Sequence, residues 1–271
     1  MLSIFDLLDA GTMSLDLAAY LMDRISQGAS IMVGARPGGA GKTTVMCALL
    51  NLLPPDVEIT AATPEAVREA ARRRDLKKRC YVCHEIGSGP YFAYLWNRDL
   101  RAYCALPDMG HLLATNLHAD DLDEAREQVC AENAVPDLYF NRFDVILFLR
   151  VQGRQWNARR VVEKVYASGG ITPHRLVFNA GAFGDKMSYD GDRRMPCRAF
   201  LEEQLANGIR TIEETRERVV NWFSARASPV YAEARIIRAQ VATTVPHSAR
   251  TRARVRSRQT EEKANDCEGR P

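Results

Sequence analysis

The chain has 271 residues, 46% of them hydrophobic and 26% charged, with a formal net charge of +3. That composition suits one mid-sized globular domain with an appendage, or two small domains with a real core. The charge is too small to imply a nucleic-acid partner by itself, and no apolar run reaches the roughly 18–20 residues that span a bilayer. The N-terminal run Met1-Leu2-Ser3-Ile4-Phe5-Asp6 has no basic segment and reads as no signal peptide. The seven cysteines, Cys47, Cys80, Cys83, Cys104, Cys130, Cys197 and Cys267, are odd in number and several lie in apolar runs. They read as reduced thiols of a cytoplasmic protein, soluble or docked peripherally on a partner.

In chain order, Leu15, Leu17, Ala18, Leu21, Met22 and Ile25 recur at helical spacing and predict an amphipathic helix over 13–27. A turn at Gly28 leads into a short apolar strand over 30–33. A glycine-rich loop follows, then a helix from Lys42 to about Leu53, stopped by Pro54-Pro55. A second strand is expected over 57–60 and a charged helix from Thr63 to near Arg79. A third strand is expected over 80–86, and an aromatic-rich helix over about 92–106. Leu112–Leu117 predicts a strand and 122–133 a helix. Strands over 143–151 and 159–166, joined by the polar turn 152–157, predict an antiparallel hairpin. Gly181, Gly184, Asp185, Asp190 and Gly191 mark a loop-rich connection, with helices expected at 198–207, 212–225 and 229–241. Thr211-Ile212-Glu213-Glu214 opens the middle one as a capping box.

The alternation of strands and helices up to Val135 predicts a mainly parallel α/β sheet covered on both faces, extended at one edge by the hairpin. Three regions follow: 1–170 as the α/β domain, 171–241 as a small C-terminal helical region, and 242–271 as an arginine-rich tail too polar to order itself. Its alternating Arg250, Arg252, Arg254, Arg256 and Arg258 read as a solvated tail. A phosphate-binding tail on nucleic acid is the competing reading.

The run Arg36-Pro37-Gly38-Gly39-Ala40-Gly41-Lys42-Thr43-Thr44 is a phosphate cradle. Glycines let successive amides turn inward on dense negative charge, and the following helix presents its positive end. Gly38, Gly39, Ala40, Gly41, Lys42, Thr43 and Thr44 are the candidate nucleotide-binding residues. Lys42 would reach the β- and γ-phosphates of ATP, and the Thr43 hydroxyl would hold Mg2+. The G-x-x-x-x-G-K-[ST] pattern is met except at its first glycine, where Arg36 stands.

Hydrolysis also needs a carboxylate beside the loop, to hold or activate water and to anchor magnesium. Cys80-Tyr81-Val82-Cys83-His84-Glu85-Ile86 supplies Glu85 as candidate catalytic and Mg2+-binding residue. The same run spells a c-type haem attachment motif and half a zinc site, but an apolar buried strand explains it better.

Met109-Gly110-His111-Leu112-Leu113-Ala114-Thr115-Asn116-Leu117-His118-Ala119-Asp120-Asp121 resembles the histidine box of the type II/type IV secretion and pilus-motor ATPases, a glycine-histidine pair before a strand ending in Leu-His. Gly41-Lys42-Thr43-Thr44, His84-Glu85 and the run from Arg159 to Val165 are similar to that family's other landmarks, and the likeness covers roughly 13–225. It implies a RecA-like P-loop NTPase fold, ATP hydrolysis and a ring of copies, most often a hexamer. It also implies a membrane-protein partner in a secretion or pilus machine, reached from the cytoplasmic face. By the resemblance His118 would report the γ-phosphate, as a second catalytic residue beside Glu85. Family members also carry an N-terminal domain that contributes arginines to the nucleotide, and the matching stretch here starts at the ATPase domain. The family's acidic box is replaced by Ile59-Thr60-Ala61-Ala62. These departures open an alternative: a nucleotide-binding regulatory or assembly subunit with little hydrolysis.

Overall fold

The structure, a computed structural model, describes residues 1–72, 77–153, 158–184 and 191–226. The helix expected at 229–241 and the tail 242–271 lie outside the described residues, as do 185–190 of the loop-rich connection and 154–157 of the hairpin turn.

Two helices open the chain, α1 (Ile4–Asp9) and α2 (Leu15–Ser26), each capped by a serine side chain that accepts a first-turn amide. Strand β1 (Ile31–Gly34) runs into the phosphate loop and α3 (Lys42–Leu50), followed by β2 (Glu58–Ala61) and α4 (Pro64–Ala70). The charged helix therefore stops at Ala70, well short of Arg79, which instead begins β3 (Arg79–Ile86). The aromatic-rich stretch is not one helix. It divides into β4 (Tyr94–Leu95), α5 (Asn97–Cys104) and a 3-10 turn (Leu106–Met109). Next come β5 (Leu112–Leu117), α6 (Leu122–Arg126) with a π-helical continuation (Glu127–Glu132), and α7 (Asp137–Phe140). The hairpin is β6 (Val145–Gln152) and β7 (Arg159–Ala167). The stretch after 170, expected as loop and helix, first adds β8 (Arg175–Asn179) and β9 (Ala182–Phe183). Helices α8 (Gly191–Ala206) and α9 (Ile212–Ala225) then close the described chain.

The strands form one sheet in the order β2-β3-β5-β1-β6-β7-β8-β9, with β4 against the end of β3. The pairings up to β6 are parallel, and β6-β7-β8-β9 are antiparallel. The phosphate-loop strand is thus central, with β5 between it and the carboxylate strand β3. This is the mainly parallel sheet with an antiparallel edge that the sequence predicts.

Both faces of the central strands are buried, and the alternation is explicit. Ile31, Val33, Leu112, Ala114, Val145 and Leu147 pack with α1, α2 and α3. Met32, Leu113, Leu117, Ile146 and Phe148 pack with α5, α6 and α7 on the other side. Successive side chains point to opposite faces, so runs that look uniformly apolar in sequence supply two cores at once.

Two polar contacts fasten the layers. The buried Tyr103 hydroxyl on α5 lies 3.1 Å from the Tyr81 carbonyl and 2.9 Å from that of Ala114, reaching both β3 and β5. Arg216 on α9 donates to the Asn51 carbonyl at 3.1 Å and to that of Leu53, covering acceptors left open past the C-terminus of α3.

Candidate active site

Strand β1 ends where backbone segments come very close. A Cβ on Gly34 would lie 2.7 Å from the Ala119 carbonyl oxygen and 2.7 Å from the Phe148 ring, so only glycine fits there. The loop that follows turns through left-handed backbone at Gly39 (φ 72°) and Gly41 (φ 92°). Gly41 is the N-cap of α3.

That helix start differs from its neighbours. The side chains of Ser3, Ser14, Thr63, Asp121 and Thr211 cap α1, α2, α4, α6 and α9. Helices α5 and α7 also lack a side-chain cap but carry Asp99 and Asp137 in their first turns, whereas α3 has neither a cap nor an acidic residue there. Its orphan amides and the positive end of its dipole therefore suit an anion from outside the chain.

Lys42, the first residue of α3, is only 8% exposed. Its Nζ donates to the Ala35 carbonyl at 3.0 Å, lies 3.4 Å from Glu85 Oε2, and lies 3.2 Å from His118 Nδ1. Burial lowers its pKa below the usual lysine value, and the Glu85 carboxylate opposes the shift without cancelling it.

Glu85 is placed by an irregularity in its strand. Cys83 pairs with Thr115 and Ile86 with Leu117, so β3 spends three residue steps where β5 spends two. The extra residue falls at His84–Glu85 and breaks the ladder there, as a β-bulge does beside many functional sites. Glu85 Oε1 then lies 3.0 Å from His118 Nε2. The His118 Nδ1 atom lies 2.9 Å from the Arg36 carbonyl, so the imidazole bridges the carboxylate and the phosphate loop. Tyr94 on β4 completes this flank. Burial first, then the adjacent Glu85 carboxylate with which it hydrogen-bonds, raise its phenol pKa.

Asn116, fully buried on β5, was not singled out from the sequence. Its Nδ2 donates to the His84 carbonyl at 2.9 Å and to Thr43 Oγ1 at 3.3 Å, tying the carboxylate strand to the helix start. Its Oδ1 is buried with no hydrogen-bond partner among the described residues. A polar residue inside an otherwise apolar strand was the signal that could have found it.

Arg36 directs its side chain outward to Glu124 in a two-point ion pair, and its backbone amide donates to Asp120 Oδ1 at 2.8 Å. Arg160 on β7 approaches the loop from the other side, its Nε donating to the Gly39 carbonyl at 2.8 Å.

The structure therefore brings the sequence-predicted Gly38, Gly39, Ala40, Gly41, Lys42, Thr43 and Thr44 together with Glu85 and His118 at one end of the sheet. Cys80 and Cys83 belong to cores on opposite faces of β3, so their thiols do not converge on a common metal or haem. Burial pushes both thiols up to about 12, the protonated and inert range.

No protein-family model matches the chain, and no curated protein matches it. Among solved structures it is similar to the VirB11 ATPase of the Brucella suis type IV secretion system, determined with sulphate, at 18% identity and a TM-score of 0.42. That match covers 59% of this chain and 53% of the other. It is also similar to the ATPase DotB of Yersinia pseudotuberculosis at 12% identity and a TM-score of 0.42, over 80% of this chain and 62% of that one. The chain thus spans less than two thirds of the length of either neighbour. At such identities and scores neither neighbour assigns an activity. Among the described residues no helix is long and apolar enough to cross a membrane.

Proposed function

We propose that the chain binds ATP with Mg2+ and hydrolyses it, as a motor subunit of the secretion and pilus type working in a ring of copies. The observation that carries this is the convergence of Lys42, Glu85 and His118 at the uncapped N-terminus of α3. The amides from Gly38 to Thr44 would cradle the phosphates, with Lys42 on the β- and γ-phosphates. Glu85 would orient and polarise the attacking water, and His118, in contact with Lys42, Glu85 and the loop, would register the γ-phosphate. The ring, most often a hexamer, and a membrane-protein partner in a secretion or pilus machine follow from the sequence resemblance.

The oxygen donors suit magnesium. Thr43 Oγ1, the Glu85 carboxylate and the orphaned Asn116 Oδ1 are hard ligands near the phosphate loop, and an ion there would answer an otherwise costly buried carbonyl. When bound, magnesium neutralises charge on the transferring phosphoryl group.

A second reading has its own observation. Both Glu85 oxygens are engaged, one by His118 and one by Lys42, which weakens the carboxylate as a base toward water. That favours a nucleotide-binding regulatory or assembly subunit with little turnover. Steady-state ATP hydrolysis across a protein concentration series, with Lys42→Ala and Glu85→Gln in parallel, separates the two. Turnover that rises with concentration and vanishes in both variants supports the motor. ATP binding lost only in Lys42→Ala, with no parental turnover, selects the regulatory subunit and refutes the motor.

A further inference from the structure

Three cations touch the phosphate loop: Arg36, Lys42 and Arg160. Two of them are neutralised within the chain, Arg36 by Glu124 and Lys42 by Glu85. Arg160 has no carboxylate partner among the described residues, and its two terminal guanidinium nitrogens have no hydrogen-bond acceptor there.

Its position is specific. Arg160 lies on β7, two strands from the loop strand, and its side chain reaches back across the sheet end. The Cδ atom lies 3.1 Å from the point a Gly41 Cβ would occupy, so the aliphatic stem rests on the glycine that caps α3. The guanidinium is held by Nε on the Gly39 carbonyl at 2.8 Å. An unpaired cation is thereby placed beside an uncapped, positive helix start. Two like-signed features are thus brought together, an arrangement that an anion binding both would stabilise.

The flank of approach selects the part of the ligand. Glu85, His118 and Asn116 all stand on the β3/β5 side of β1, where the bond to the terminal phosphoryl group would break. Arg160 comes from the β6/β7 side. Resting on the nucleotide reading above, we propose that Arg160 is a nucleotide-binding residue whose free guanidinium nitrogens bind the retained α- and β-phosphates, common to a nucleoside triphosphate and its diphosphate. A planar, forked donor suits phosphate oxygens at two points, which a lysine cannot reproduce.

The test is equilibrium binding of ATP and of ADP to the full chain by calorimetry over a series of salt concentrations, for the parent, Arg160→Gln, Arg160→Lys and Lys42→Ala. Glutamine keeps an N–H for the Gly39 carbonyl but removes the charge, so a residue that only props the loop predicts parental affinity in Arg160→Gln. The expected result is a loss of about tenfold for ATP and for ADP alike, the size of one charge-assisted hydrogen bond. Salt should weaken binding less steeply in Arg160→Gln than in the parent, and Arg160→Lys should lie between the two. Parental affinity in Arg160→Gln, alongside loss in Lys42→Ala, overturns the role of Arg160 and leaves the nucleotide reading intact. A loss confined to ATP overturns the assignment to the retained phosphates. A parent that binds neither nucleotide overturns both.

Discussion

Glu85→Gln should destabilise the ligand-free protein and tighten magnesium-free ATP binding, while turnover falls. In the structure the side chains of Lys42 and Glu85 are only 9% and 13% exposed and their charges lie 3.4 Å apart. At an effective dielectric of about 20, that separation corresponds to about 5 kcal/mol of attraction. Most of it is offset by the desolvation of both groups, which is why burial still leaves the lysine pKa lowered. A net loss of about 2 kcal/mol is expected on neutralising the carboxylate, because the buried ammonium then keeps its desolvation without its counter-charge. For a domain of this size that lowers Tm by about 4–8 °C. The same change helps phosphate. In the parent, ATP must take Lys42 away from Glu85 and enter beside a carboxylate, so removing that competitor should tighten ATP binding up to about tenfold, or 1.4 kcal/mol. The assay is thermal unfolding and calorimetric ATP titration in the presence of a chelator, so that the loss of a magnesium ligand does not enter, with phosphate release measured separately in magnesium. An unchanged Tm together with unchanged or weaker magnesium-free ATP binding would refute the argument that Lys42 is held in reserve by Glu85.

Tyr103→Phe should cost about 1–2 kcal/mol in urea unfolding, because it removes the buried hydroxyl shared by the Tyr81 and Ala114 carbonyls while keeping the ring. Tyr103→Ala adds a cavity and should cost about 3–5 kcal/mol, so equal losses in the two variants would place the energy in something other than the ring. His174 gives a pH dependence. Burial lowers its pKa below 6.5, against the opposing hydrogen bond to the Phe143 carbonyl. The unfolded chain therefore takes up this proton first, and the contribution is fully present above 6.5 and lost as pH falls through the lower folded value. Urea midpoints should drop less between neutral pH and pH of about 5 in His174→Gln than in the parent. Parallel pH profiles would count against the assignment to His174.

Where local pattern and tertiary placement agree, the elements were legible. The spacing of Leu17, Leu21 and Ile25 marked α2, and the apolar run Leu112–Leu117 marked β5 within a residue. The losses have identifiable causes. Helix α1 has only six residues, too short for a periodic signal, although Ser3 and Asp6 form a full capping box at its start. The segment around Tyr94 carries aromatic residues compatible with a helix, but pairing with β3 makes it a strand, and Asn97 adopts φ 48° where α5 begins. The region after 170 looked loop-like because its strands are short and glycine-flanked. The neighbouring edge of β7 supplied the hydrogen-bond partners that turned it into β8 and β9. At the site, Lys42, Glu85 and His118 could be singled out because each lies in a local motif. Asn116, Tyr94 and Arg160 make their contacts across the sheet; Asn116 is marked only as a polar residue in an apolar strand, and nothing local says which loop residue Arg160 reaches.

The irregular loop motif is explained by where the steric restriction falls. A first glycine at position 36 is expected when the backbone there must approach something closely. Here the close approach is two residues earlier, at Gly34, where a Cβ would strike the Ala119 carbonyl and the Phe148 ring. Position 36 is relieved of that demand, and its side chain is free to leave the loop. Arg36 uses the freedom to pair with Glu124, while its amide meets Asp120 and its carbonyl meets His118. The loop is thereby tied to the segment carrying His118 through three separate contacts, only one of which a glycine would lose. The substitution that weakens the motif as a sequence pattern therefore strengthens the link between the phosphate loop and the histidine that stands over it.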